Sequence, residues 1–262
     1  MYQFPVAEYV LKPPEVYTEN RNFVEAVQKS ILDPLCGIKV LWTPSGYGKS
    51  TYVRAVCSEL QKQKKITGVI VLDAEGVKPS PTLTAWLASK IGAPKAHLTS
   101  WFNHISDLLP DRLDEKPVLI VIDQFDHLHY ANKVQSFVVS MAENSVLTKK
   151  YVVLLVVSNP DFASQILSWN GGEKIHSVDK DILSFKWKEE HFEELWKAVA
   201  SNIQLPELAR KQFISACALA GTPGYFLKHL PTITPSNIPT LEKKAQEVHD
   251  EWIKGCRKIV CK

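Results

Sequence analysis

The sequence predicts an α/β fold, in which a parallel sheet flanked by helices is followed by a smaller, all-helical part. Three observations predict it. Strand-like and helix-like stretches alternate from residue 37 to about residue 186, the pattern that builds a parallel sheet covered by helices. The strand-like stretches include continuous apolar runs, such as Val118–Ile122 and Val152–Val157, which suit strands buried on both faces. From about Trp187 the strand-like runs stop and only helical spacing continues.

Residues 1–35 form a lead-in with Pro5, Pro13 and Pro14, then a helix from about Asn20 to Leu32 carrying Phe23, Val24, Val27 and Ile31 on one side. Strands are expected near 37–43, 66–73, 117–123, 151–158 and 175–185, and helices near 49–64, 80–92, 98–109, 131–147 and 160–169. Residues 36–186 thus make the core, with ligands expected at the carboxyl ends of its strands. Residues 187–262 carry helices near 188–202, 206–220, 222–230 and 239–259. Phe192, Leu195, Trp196 and Val199 on the first, and Leu208, Phe213, Ile214 and Leu219 on the second, read as core stripes. Pro231–Pro239 reads as a loop between helices.

The composition is that of a globular protein: 45% hydrophobic and 23% charged over 262 residues. A net charge of +3 permits nucleic-acid binding without arguing for it. No apolar run reaches the length of a membrane span, and the first 30 residues lack the basic head and apolar stretch of a signal peptide. The cysteines, at 36, 57, 217, 256 and 261, are odd in number and match no zinc spacing. Free or buried thiols in a reducing, intracellular setting are expected.

Residues 43–51, Thr43-Pro44-Ser45-Gly46-Tyr47-Gly48-Lys49-Ser50-Thr51, directly follow the apolar run Ile38–Trp42. A strand, a glycine-bearing turn and a helix starting at Gly-Lys-Ser wrap phosphates: the amides of the turn point inward and a lysine adds positive charge. Gly48, Lys49 and Ser50 meet the pattern G-x-x-x-x-G-K-[ST]. Thr43 stands where its first glycine belongs, and Gly46 partly compensates by freeing the backbone inside the turn. About 75 residues on, Val118–Asp123 is an apolar strand ending in aspartate. The Ser50 hydroxyl and the Asp123 carboxylate are the expected Mg²⁺ ligands.

This loop and Mg²⁺ strand, followed by a helical bundle, resemble the P-loop NTPases of the AAA+/STAND-type ATPase superfamily, over roughly residues 15–230. The resemblance implies a P-loop α/β/α sandwich with a small C-terminal helical lid, and ATP with Mg²⁺ as ligands. Val152–Asn159 looks like the strand whose terminal polar residue orients the attacking water or touches the γ-phosphate. That role carries to Asn159, with Ser158 as substitute. Ala220-Gly221-Thr222-Pro223-Gly224 looks like the helix start where such lids approach the nucleotide. Asp123-Gln124-Phe125-Asp126 resembles the Asp-Gln-Phe-Glu of some STAND ATPases. Gln124 stands where many AAA+ members have the water-polarising glutamate, so water handling is expected of Gln124 and Asp126 together with Asn159. Arg21 in Asn20-Arg21-Asn22, just after Val16-Tyr17, resembles the lead-in that borders the adenine, which implies Val16 and Tyr17 near the base.

The chain departs from the family in its arginines, which are Arg21, Arg54, Arg112, Arg210 and Arg257. None lies between Asp123 and Asn159, and Gly224 follows Gly-Thr-Pro. An arginine finger is worth ~10³–10⁵ in rate, and Lys133, Lys149 or Lys150 would lack the fork of a guanidinium. The expectation is therefore ATP binding with slow hydrolysis, as a molecular switch read by a protein partner. Two alternatives stand beside it: a degenerate scaffold that binds ATP without turnover, and a DNA-associated helper ATPase, with oligomers left open. A kinase ranks below these, and only Asp73, at a strand end, suits an acceptor site.

Overall fold

The computed structural model describes residues 21–32, 37–75, 109, 116–131, 133–169, 174–178, 186–200 and 202–260. The helices expected near 80–92 and 98–109 (Leu109 apart), residues 179–185 of the last expected strand, and Val16 and Tyr17 lie outside the described residues.

Five strands form one parallel sheet: β1 (Ile38–Trp42), β2 (Gly68–Asp73), β3 (Val118–Asp123), β4 (Tyr151–Val157) and β5 (Ile175–Ser177). Every residue of β1, β3 and β4 is buried, which is why they read as largely apolar runs rather than alternating ones, with Lys39 in β1 and Asp123 at the end of β3 as the charged exceptions. The strand order is β2-β3-β4-β1-β5. Trp42 lies opposite Val157, and Ile122 opposite Leu155. The carboxyl ends of β1, β3 and β4 therefore meet at one edge, where strand order reverses and ligands bind in α/β sheets.

Around the sheet lie α1 (Arg21–Ile31), α2 (Lys49–Lys62), α3 (Val134–Thr148) and α4 (Pro160–Ser168). Helix α1 buries Phe23, Val27 and Ile31, at the three- and four-residue spacing of one helical face. Helix α4 starts at a side-chain cap: Asn159 Oδ1 accepts from the amides of Asp161 and Phe162 at 2.9 and 3.2 Å. Pro160 at its first position needs no donor there.

The C-terminal part holds α5 (Glu189–Val199), α6 (Glu207–Ala220), α7 (Pro223–His229) and α8 (Ile238–Val260). Its centre is aromatic: Phe226 packs on Phe192, Trp196 and Phe213 with ring centroids 5.9, 6.2 and 5.4 Å away. The expected core stripes hold for Phe192, Leu195, Trp196, Phe213 and Ile214. Val199 and Leu208 do not join them: they sit at helix ends, 39% and 71% exposed. Helix α6 stops at Gly221, whose φ of 72° closes the last turn with a 2.8 Å bond from its N–H to the Cys217 carbonyl.

Buried side chains on both sides of Trp187 belong to one continuous cluster. At the junction, α8 lies close against the end of β1. A Cβ on Gly255 would come within 2.5 Å of the Trp42 ring, so only glycine admits this approach. Trp252 meets Tyr47 edge-on at 5.7 Å. Cys57, Cys217 and Cys256 are buried, and burial pushes the Cys57 thiol up to about 12. Among the described residues no helix is long and apolar enough to cross a membrane.

Gly255→Val tests the junction. Overpacking of this kind costs about 1–3 kcal/mol. A fall of the urea midpoint with an unchanged slope is expected, and a midpoint equal to wild type would refute the close approach of α8 to Trp42.

Candidate functional site

The loop between β1 and α2 is shaped by two glycines in the left-handed region, Gly46 at φ 78° and Gly48 at φ 91°. Side chains rarely adopt these angles. Gly48 precedes the first turn of α2, and its carbonyl accepts the Tyr52 amide at 3.0 Å. The loop rests on Tyr47, which is fully buried among Phe23, Tyr52 and Trp252, with centroids 5.4, 6.1 and 5.7 Å away. Burial pushes its phenol far above the ordinary tyrosine range. Tyr47 therefore anchors the loop and does not line the space in front of it.

That space is a cavity of about 310 Å³. The loop contributes Ser45, Gly46, Gly48, Lys49, Ser50 and Thr51 to its walls, β3 and its following turn contribute Asp123 and Gln124, and β4 contributes Val156 and Ser158. The hydroxyls of Ser45, Ser50, Thr51 and Ser158 make no hydrogen bond among the described residues. The sequence grouped Thr43, Pro44 and Tyr47 with the ligand-facing residues, but the structure keeps these three out of the cavity wall. Thr43 is fully buried, its Oγ1 has no partner, and its carbonyl serves the lysine.

Lys49 is only 8% exposed. Its ammonium donates to the carbonyls of Thr43 at 2.7 Å and Pro44 at 3.1 Å. Burial pulls its pKa down to about 8, against the opposing pull of the Asp126 and Asp123 carboxylates. The ammonium is thus held by its own loop at the edge of the cavity.

Asp123 is buried, and one of its oxygens accepts the Gln124 amide at 2.9 Å. Asp123 and Ser50 both line the cavity and bring oxygen donors to it, the donor type that Mg²⁺ takes alongside phosphate and water. Among the described residues no group of three or more acidic, histidine or cysteine side chains is placed to hold a metal by itself.

The residues expected to handle water are placed differently from one another. Gln124 lines the cavity, but its amide nitrogen donates to Asp73 at 3.2 Å and Glu75 at 3.0 Å. Asp126 has both oxygens committed: Oδ2 accepts the Ser158 amide at 2.7 Å and Oδ1 the Asn159 amide at 2.9 Å. Asn159 is exposed and caps α4, so Ser158, one residue earlier, is the polar side chain that β4 delivers to the cavity. Of the described lysines named as surrogate fingers, Lys133, Lys149 and Lys150, none lines the cavity, and neither do Arg54, Arg210 or Arg257.

The C-terminal helices reach the loop directly. The Gly224 amide donates to the Gly46 carbonyl at 2.7 Å, and a Cβ on Gly224 would lie 2.6 Å from the Gly46 Cα. Sequence reading had placed this segment near the ligand, but not the backbone-to-backbone contact that results from having glycine on both sides.

Lys49 also makes stability depend on pH. With a folded pKa of about 8 and an ordinary value of 10.5, the unfolded chain holds more protons across that window, so stability rises with pH from about 8 to 10.5. Below pH 8 both states are protonated and the folded state carries the full desolvation cost. Relative to Lys49→Met, wild type should gain on the order of 1–3 kcal/mol between pH 7 and pH 10. Urea titrations of both proteins at several pH values measure this, and parallel curves would contradict the buried ammonium.

A family model described as "AAA domain" matches residues 34–166, about half of the chain. No curated protein matches. Among solved structures, the chain is similar to the Walker-type ATPase PABY2304 of Pyrococcus abyssi, at 13% identity, 92% of this chain, 75% of that chain and a TM-score of 0.49. It is also similar to the Aeropyrum pernix ORC1 protein in complex with DNA, at 12% identity, 90% of this chain, 68% of that chain and a TM-score of 0.48. A third similar structure is AMPPCP-bound DnaA from Aquifex aeolicus, at 15% identity, 92% of this chain, 65% of that chain and a TM-score of 0.45. With the glycine-turned loop, the buried lysine and the aspartate at the end of β3 in place, the chain belongs to the AAA domain family of P-loop ATPases.

Proposed function

We propose that the chain is a Mg²⁺-dependent ATP-binding switch that hydrolyses ATP slowly. The observation that carries this reading is the cavity itself. Unpartnered hydroxyls and a buried lysine of one loop face an aspartate and a serine delivered by two neighbouring strands. The amides of residues 46–51 and the Lys49 ammonium would receive the β- and γ-phosphates. For this Lys49 leaves the Thr43 and Pro44 carbonyls, and the polyanion replaces them as its partner. Ser50 and Asp123 would hold Mg²⁺, which neutralises phosphate charge. Ser158, which lines the cavity, would touch the γ-phosphate or its water, in the role first read onto Asn159. Gln124 can orient water once it releases Asp73 and Glu75, but a carboxamide is a poor base.

Slow turnover follows from what the cavity lacks among the described residues: a free carboxylate beside Asp123 and an arginine. The switch reading draws on the contact of Gly224 with Gly46 and of Trp252 with Tyr47, through which phosphate binding would move the lid against the core. A protein partner is proposed as the reader of that movement, in an intracellular setting. A second reading, binding without turnover, gains support from the engagement of Asp126 and Gln124 with other protein groups. DNA is the weaker partner proposal: of the basic residues near the C-terminus, Lys258 is already paired with Asp161.

Thermal melting with Mg²⁺-ATP, ADP and GTP, beside phosphate release with and without DNA, tests these readings. At 100 times its dissociation constant, ATP should stabilise the protein by about 2.7 kcal/mol, provided that Mg²⁺ is present and Lys49 intact. Slow phosphate release that Asp123→Ala abolishes supports the enzyme, a melting shift without release supports the scaffold, and no shift refutes both. Binding should also take up a proton near pH 8, as the phosphates raise the Lys49 pKa from about 8. Calorimetry in buffers of different ionisation heat reads that uptake, and equal heats in all buffers at pH 8 would count against Lys49 as the phosphate ligand.

A further inference from the structure

We propose that Asp126 is a positioning residue that fixes Ser158 in the cavity by bridging the turn after β3 to the turn after β4. The proposal rests on the ATPase reading above and assigns one of its parts.

Strand pairing explains why the bridge is needed. The ladder from β4 to β1 ends at Val157 and that to β3 ends at Leu155. The next two amides, of Ser158 and Asn159, lie beyond the sheet and have no strand to donate to. Asp126 supplies their acceptors, one oxygen each, at 2.7 and 2.9 Å. Leaving the part-buried Ser158 amide unpaired would be costly, and hydrogen bonds to a charged acceptor are the stronger kind.

The position of Asp126 is itself fixed. Gln124 turns the chain at φ 53°, and the short 3-10 helix Phe125–Leu128 follows. The amide of His129 closes that turn on the Asp126 carbonyl at 3.1 Å. Phe125 stacks on Phe162 of α4, centroids 5.8 Å apart and rings 9° from parallel. Ser158 is gripped from its other side as well, since the Trp42 indole donates to its carbonyl at 3.0 Å. Its amide and carbonyl are therefore both held, while its Oγ has no partner among the described residues and lines the cavity. A carboxylate acting as the base would pass through a neutral form in every turnover, and a neutral carboxyl holds the two amides more weakly. One that positions Ser158 keeps the bridge throughout.

Asp126→Asn tests the assignment. It keeps the size of the side chain but leaves only one oxygen to accept from two amides. Turnover should fall about 10- to 100-fold, the scale of a misplaced transition-state contact, with little change in KM for Mg²⁺-ATP. Ser158→Ala should lose a similar factor. The double variant should be no slower than the slower single one, because both changes remove the same contact. The pH profile of kcat should keep its shape in Asp126→Asn. Hydrogen exchange at the amides of 158 and 159 should quicken in the nucleotide-free variant, and this readout needs neither ATP nor turnover. Asp126→Ala should quicken it further if it folds, and Asp126→Asn carries the test if it does not. Multiplicative losses, an acidic limb that disappears in Asp126→Asn, or unchanged exchange at 158 and 159 would overturn the proposal. If wild type melts higher with Mg²⁺-ATP but never releases phosphate, the hydrolytic reading and this assignment fall together. If wild type is active and the coupling to Ser158 is absent, this assignment alone falls.

Discussion

The insertion of β4 between β3 and β1 is the constraint on which the rest of the structure depends. It is the fourth strand in sequence and the central one in space. Only that placement brings three chain turns, after β1, β3 and β4, to one edge of the sheet. The first turn carries Lys49 and Ser50, the second Asp123 and Gln124, the third Ser158. Because β1, β3 and β4 are wholly buried, the three turns stand on a rigid base and their spacing is set by strand separation rather than by loop sequence. The Trp42 indole and the Asp126 carboxylate then tie the turns to one another beyond the last ladder bond.

Within that frame the lysine is held in reserve. A buried ammonium needs acceptors, and here the loop supplies two of its own carbonyls. The arrangement avoids an unpaired charge in the ligand-free protein, yet it is weaker than an ion pair with phosphate, because neutral carbonyls do not cancel the charge. The depressed pKa of Lys49 expresses this incomplete compensation. The same imbalance that costs stability would, under the proposed function, favour a polyanion as the partner of Lys49.

The parts of the site that were legible in sequence are those written into a few consecutive residues. Gly48-Lys49-Ser50 follows an apolar run because the loop must leave a buried strand and enter a helix within a few residues. Asp123 ends another apolar run because the carboxylate has to clear the sheet. Side chains whose partners lie far along the chain were not legible in the same way. Asp126 looked like a free acid beside the expected metal ligand, since nothing local reveals that its oxygens meet amides 32 and 33 positions on. Asn159 looked like the polar tip of β4, but an Asn-Pro pair opening a helix was already a capping signal. Taken at face value, it points to Ser158. Tyr47 was counted with the ligand-facing loop, and its apolar body beside Tyr52 hinted at the anchoring it does.

Glycine at 224 gives the C-terminal helices a way to reach the phosphate loop that does not involve a long side chain. An arginine at this point could bridge several ångströms of open cavity to a phosphate, leaving lid and loop backbones apart. With glycine the two backbones close to hydrogen-bonding distance, 2.7 Å between the Gly224 nitrogen and the Gly46 oxygen. Such a contact is short and directional, so it is sensitive to small changes in the φ of Gly46, and glycine is the residue freest to make such changes. A phosphate that reorients the amides of the loop would therefore disturb the Gly46 carbonyl and, through it, the start of α7. Because α8 is pressed onto Trp42 through Gly255 and onto Tyr47 through Trp252, that disturbance has a packed, aromatic path into the longest helix of the C-terminal part. The link between the loop and the C-terminal helices in this chain is thus built from backbone contact and ring packing rather than from a charged side chain.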